Sequence, residues 1–212
     1  MAHIVDWPAR LEQLAAFVGL DQDGLDLIKS TSDAVLKHAD DLTALVYDNF
    51  LKYPETRRFF LAEDGEVDEV RLARRKHSLG RWLRGSIDFK IDEDYPIRVL
   101  ATGIVHSHPP SHRAHLGSIP SRFMVASMSF VQTALADVLR EEIDDVDQAL
   151  RASIAWNKML MLQLDILLAG YVNETPTETA PDPESEGVEG LEGQQEASDP
   201  VDHMKLEESG DD

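Results

Sequence analysis

Apolar residues recur along most of this chain at the three- and four-residue spacing of helices, and no run sustains the alternation of a strand. Asp6 can cap a first helix from Trp7 to about Val18, with Pro8 in its first turn. Asp21 or Asp23 opens a longer helix. Its apolar positions Leu25, Ile28, Val35, Leu42, Val46 and Phe50 hold the helical period until Pro54 stops it. The polar middle of this stretch, Lys29 to Asp33, predicts a break into two helices there. Thr56 to Leu61 reads as a short helical turn and Asp64-Gly65 as a loop. Helices follow over Val67 to Leu83, ending at Gly85, and over Asp94 to His106. After a Pro-, His- and Ser-rich loop from Ser107 to Gly117, Ser118 and Pro120 start a helix over Ile119 to Leu139. Asp144 or Asp145 opens the last, which runs to about Val172. The prediction is all-α, without internal repeats.

Composition divides the chain in two. Residues 174–212 hold fourteen acids against one lysine, a net charge of -13, and are rich in Glu, Pro, Gly and Ser. Such a segment buries too little apolar surface to fold, so a disordered acidic tail is expected. Residues 1–173 carry 26 acids and 19 bases, a net charge of -7, and suffice for one hydrophobic core. Most of the overall -20 therefore belongs to the tail. An acidic surface argues against nucleic acid as a partner, since phosphates demand clustered Lys and Arg; Arg74-Arg75-Lys76 is a local exception. The absence of cysteine excludes disulfides, thiolate ligation and covalent haem attachment, and fits a reducing cytoplasm. The longest apolar stretch, Met159 to Val172, is broken by Gln163 and Asp165, so no membrane span is expected. No basic-then-apolar run of the signal-peptide kind is seen at the first residues.

The candidate chemistry centres on Thr102-Gly103-Ile104-Val105-His106, at the last turn of an apolar helix just before Pro109-Pro110. Gly103 shares a helical face with His106 and would let a flat cofactor approach the backbone while the imidazole points at its metal. Tyr47 sits on another amphipathic helix and could bring a phenol to the same pocket. The bland readings are a helix-end histidine set against the helix dipole and a core tyrosine. His106, His108, His112 and His115 form a competing zinc- or nickel-type constellation, against which the Pro109-Pro110 break and the lack of nearby Cys or Asp argue.

Three stretches carry a resemblance. They are Val46-Tyr47-Asp48-Asn49-Phe50-Leu51 with Pro54-Glu55-Thr56, then Gly103-Ile104-Val105-His106, then Ala155-Trp156-Asn157-Lys158 leading into the apolar final helix. With seven or eight helices and an added N-terminal one, about residues 7–172 resemble the globin fold. More specifically, they resemble protoglobins and the sensor globins of globin-coupled sensors. Ile119-Pro120-Ser121-Arg122-Phe123 after a longer loop is closer to protoglobin. The resemblance implies a globin-like helical sandwich with an extra N-terminal helix, one non-covalent haem b, and a diatomic gas ligand such as oxygen, CO or NO. By match to its motifs, His106 would be the proximal iron ligand, three residues after Gly103. Tyr47 would be the distal tyrosine, with Val46 in place of the usual aromatic, and Leu79 a distal residue on the next helix. Phe130, on spacing alone, would wall the pocket. In this family the last two long helices pair into a homodimer, and the apolar excess at Met159, Leu160, Leu162, Ile166, Leu167 and Tyr171 fits such an interface. The methyl-accepting, kinase or cyclase module of the sensors has no counterpart here, so single-domain protoglobin is the nearer match.

The implied function is reversible gas binding for sensing, storage or scavenging. Two alternatives differ in class. One is a haem enzyme that oxidises nitric oxide or reduces peroxide, although no clear distal acid–base pair is present for O–O cleavage. The other is a haem-free helical signalling or dimerisation domain.

Overall fold

The structure is a computed structural model that describes residues 6–87 and 94–172; the expected tail at 174–212 lies outside the described residues. The chain divides into Met1–Pro176 and Thr177–Asp212, and every described residue belongs to the first unit. Among the described residues are eight α-helices: α1 (Trp7–Val18), α2 (Gln22–Lys37), α3 (Ala39–Lys52), α4 (Pro54–Arg57), α5 (Glu69–Ile87), α6 (Asp94–Ser107), α7 (Ser121–Glu142) and α8 (Val146–Ala169). Short 3-10 turns occupy Arg58–Phe60 and Ser111–Leu116. Among the described residues the only β pairing is one bridge between Leu61 and Val67. The all-α expectation holds.

Capping chemistry sets several boundaries. The Asp6 carboxylate accepts from the Ala9 amide at 3.0 Å, and Gly19 closes α1 in the left-handed conformation, at φ 65°. Asp145 caps α8 by accepting from the Asp147 and Gln148 amides at 2.9 and 3.1 Å.

The break in the long second helix falls at His38, later than the polar stretch Lys29 to Asp33 suggested. That stretch stays helical because it turns its short polar side chains inward. Thr31 and Ser32 are buried, and the Thr31 hydroxyl accepts from the indole N–H of Trp156 at 3.0 Å. The actual break is held from outside: Lys37 Nζ and His38 Nε2 both reach a Glu142 carboxylate oxygen on α7 at 2.7 Å. Nor does Gly85 end α5, which runs on to Ile87. Ser86 in that last turn donates to the Trp82 carbonyl at 2.9 Å and accepts from the Gln163 amide of α8 at 3.2 Å. Helix α7 begins at Ser121 rather than Ile119, because the Ile119 amide is taken by the His106 carbonyl at 2.9 Å.

Helix α8 is the central element, packed against α7, α6, α2 and α1. Trp156, Met159, Leu160, Leu162 and Ile166 are all 2 % exposed or less. Each such burial stabilises by about 1.5–3 kcal/mol. The apolar excess read as a partner surface is thus, at Met159, Leu160, Leu162 and Ile166, consumed inside one chain. The exposed apolar residues of α8 lie elsewhere, at Val146, Leu150 and Ile154, one turn apart along a single face. Arg10 of α1 forms a two-pronged pair with Asp165 of α8, both contacts at 2.8 Å, and lies over the Trp7 ring. No helix among the described residues is long and apolar enough to cross a membrane.

Candidate functional site

A cavity of about 530 Å³ lies among α3, α5, α6, α7 and α8. That volume is within the range of small-molecule and cofactor sites. Its walls are mostly apolar, with Val46, Leu79, Val105, Met128, Val131 and Leu164 among them. A smaller cavity of about 120 Å³, between α3 and the loop after α6, shares Tyr47, Phe50 and His106 with it.

His106 lines both cavities from the last turn of α6. Its Nδ1 lies 2.6 Å from the Thr102 carbonyl oxygen, one turn back on the same helix. A carbonyl can only accept, so Nδ1 carries the ring proton and Nε2 keeps its lone pair. Burial lowers the His106 pKa from 6.5, and the bond to Thr102 works against that shift. The result is a neutral imidazole with one nitrogen tethered and the other left with a free lone pair, the form in which an imidazole can hold a metal.

Tyr47 is 8 % exposed on α3. Edge-on contacts with Phe50 and Phe60, ring centres 5.6 and 5.5 Å away, fix its ring. Its hydroxyl has no hydrogen-bond partner among the described residues. Burial raises the phenol far above its ordinary pKa, so the group stays a proton donor. The cavity therefore holds a neutral imidazole and an unsatisfied phenol in a mostly apolar wall, with Arg75 and Arg81 also lining it, a set that fits a haem.

Val46 and Leu79 line the cavity as well. Phe130 is not among its lining residues and packs against the main core instead. Gly103 does not face the cavity. It is buried against α8, where an added Cβ would run into the Leu167 carbonyl, and Gly170 in turn meets the backbone of Gly103 and Ile104. The glycine thus lets two helix backbones cross closely rather than letting a cofactor approach. The Ser107 hydroxyl donates to the Gly170 carbonyl at 2.7 Å and secures the same crossing.

Several lining residues lay outside the sequence reading of the pocket: Thr102, Met128, Trp82, Leu164 and Leu167. Arg75, Leu79 and Trp82 stand four and three residues apart on α5, a helical face that could have been followed from Leu79. The α8 residues carry no such signal, since a core wall and a pocket wall look alike in sequence. Of the arginines near Leu79, Arg75 and Arg81 line the cavity, while Arg84 leans toward Asp40 at 3.7 Å. His77 is exposed, as its position opposite Leu79 predicts. No group of three or more His, Asp or Glu that could hold a metal ion occurs among the described residues.

Helices crossing around an apolar cavity, with a tethered histidine and a buried tyrosine on its walls, define a globin-type domain. The family model for protoglobin matches residues 8–177. The chain belongs to the protoglobin family, which implies haem binding in general. Among solved structures, the globin domain of a Geobacter sulfurreducens globin-coupled sensor is similar, at TM-score 0.62 and 19% identity, covering 76% of this chain and 96% of that one. The ferric globin domain of E. coli DosC is similar at TM-score 0.57 and 13% identity, covering 75% and 97% respectively. At these identities the two likenesses establish the fold. No curated protein matches the chain.

Proposed function

We propose that the domain holds one non-covalent haem b in the 530 Å³ cavity, with His106 as the axial ligand, and binds oxygen, CO or NO reversibly. The observation that carries this reading is the His106 Nδ1 to Thr102 bond, because it commits one ring nitrogen and frees the other within the cavity that Tyr47 also lines. A bound haem supplies an iron with one open position for a diatomic gas. The chain's residues do the rest. Thr102 fixes the tautomer and tilt of the His106 ring. Tyr47, protonated and without a partner, donates a hydrogen bond to a polar ligand and gives less to CO. Val46, Leu79 and Val131 keep water out. No carboxylate is among the described residues that line the cavity, which favours ligand binding over peroxide cleavage. Sensing, storage and scavenging all use this chemistry, and a cytoplasmic setting suits a cysteine-free chain.

The first test is the absorption spectrum of the purified protein and of His106→Ala in ferric, ferrous and ferrous-CO states. A strong Soret band that shifts with CO and is lost or restructured in the variant is expected. A Soret band unchanged by the substitution would remove His106 as the ligand, and no band despite haem supply would leave a helical interaction domain. The Val146, Leu150 and Ile154 stripe supports a homodimer through α7 and α8, with exposed Val125 on α7 as a further apolar contact.

A further inference from the structure

Arg75 is a half-buried guanidinium on the cavity face of α5, and among the described residues it has neither an ion-pair nor a hydrogen-bond partner. Its neighbours are committed. Arg71 pairs with Asp68 at 3.2 Å and donates to the Leu61 carbonyl at 2.9 Å, and Lys76 lies 3.8 Å from Asp48. A guanidinium taken partly out of water with no counter-charge is unfavourable, and an anion relieves it. Position says which anion. Arg75 lines the large cavity, the smaller cavity beside it, and a third pocket of about 410 Å³ that also includes Arg71, Arg74, Ser78, His115 and one acid, Asp68, whose carboxylate is taken by Arg71. Arg75 and Ser78 belong to both the large cavity and this basic pocket. In a chain with 40 acids and 20 Lys and Arg, three arginines around one pocket do not follow from composition.

We infer that Arg75 binds a carboxylate of the cofactor itself, with Arg74 beside it, so that the haem's carboxylate edge points toward α5 and the Ser111–Leu116 turn. This rests on the haem reading above. It goes further by assigning the orientation of the ring and the residue that sets it. The other source of the same chemistry is a free anion in the basic pocket, and the two are separable.

The experiment uses the full chain, depleted of haem and reloaded with either protohaem or its dimethyl ester. The rate of transfer to an excess of a haem-scavenging protein is followed in the Soret region for wild type, Arg75→Leu and Arg75→Lys. A charge-assisted hydrogen bond of this kind predicts roughly tenfold faster loss of protohaem from Arg75→Leu than from wild type. The ester leaves wild type at that same faster rate, Arg75→Leu makes no distinction between the two, and Arg75→Lys falls between. Equal rates for protohaem and ester in wild type overturn the proposal. So does an Arg75→Leu variant that speeds both cofactors alike, which is a merely structural effect. Titration of the haem-loaded protein with inorganic phosphate supplies the other arm: Arg75-dependent phosphate binding together with ester-insensitive haem loss assigns the site to a free anion and overturns the cofactor assignment. A chain that takes up haem through His106 yet shows none of this coupling fails here alone. A chain without a Soret band fails at the earlier reading.

Discussion

At the scale of single residues, the phenol of Tyr47 and the imidazole of His106 have complementary states: one stays protonated, the other stays neutral. Replacing Tyr47 by Phe keeps the Phe50 and Phe60 ring contacts and deletes only the donor. Oxygen dissociation from the haem-loaded protein is expected to rise about tenfold, the worth of one hydrogen bond, with a smaller change for CO. Stopped-flow off-rates decide it, and an unchanged oxygen off-rate would falsify the distal role. For His106 the sign follows from burial. Its folded pKa lies below 6.5, so as pH drops the unfolded chain takes up the proton first. The haem-free protein should therefore lose stability as pH falls from about 6.5 toward the lower folded value. Urea midpoints measured across that window should drop, and His106→Phe should show a shallower dependence. Identical slopes for the two proteins would count against a buried neutral ring.

That His106 and Tyr47 would line one cavity was legible before any coordinates, because each stands in a motif whose order along the chain matches a family. Gly103 was legible as necessary and misread as to why. A glycine one turn before a histidine admits two explanations, close approach by a ligand or by another backbone, and only the position of α8 separates them. Phe130 had spacing alone behind it, and spacing fixes a face without saying what that face meets.

At the scale of elements, the same limits appear. Boundaries set by local chemistry, such as the Asp6 and Asp145 caps, follow from the sequence. Boundaries set by distant partners do not. The α2–α3 break is held by Glu142 of α7, and the polar run upstream stays helical because Trp156 of α8 needs an acceptor there. The α6–α8 crossing is the element-scale feature with the largest consequence for the site. Gly103→Ala forces the two backbones apart and is expected to destabilise by about 1–3 kcal/mol. Urea denaturation reads the loss, and an altered Soret maximum in the haem-loaded form reads the shifted helix. A variant as stable as wild type with an unchanged spectrum would mean that the crossing relaxes freely.

At the scale of the whole molecule, α8 buries most of its apolar side chains inside one chain and leaves Val146, Leu150 and Ile154 outside. An apolar stripe of this kind on a chain of net charge -20 is a candidate surface for association. If a second copy covers it, Leu150→Glu should give a monomer by sedimentation equilibrium, with the helical circular dichroism and haem spectrum retained. A dimer that survives Leu150→Glu and Ile154→Glu together would place the interface elsewhere.

The Gly103–Gly170 crossing also bears on how such a chain can drift. Val46, Leu79 and Val131 can be exchanged among apolar residues with a modest change in the pocket's shape. Gly103 cannot gain even one carbon without displacing α8. The tilt at which His106 is presented is therefore inherited through a residue that never touches the cavity. A descendant that kept the histidine and lost the glycine would keep an imidazole on the cavity wall while changing the angle at which it is presented.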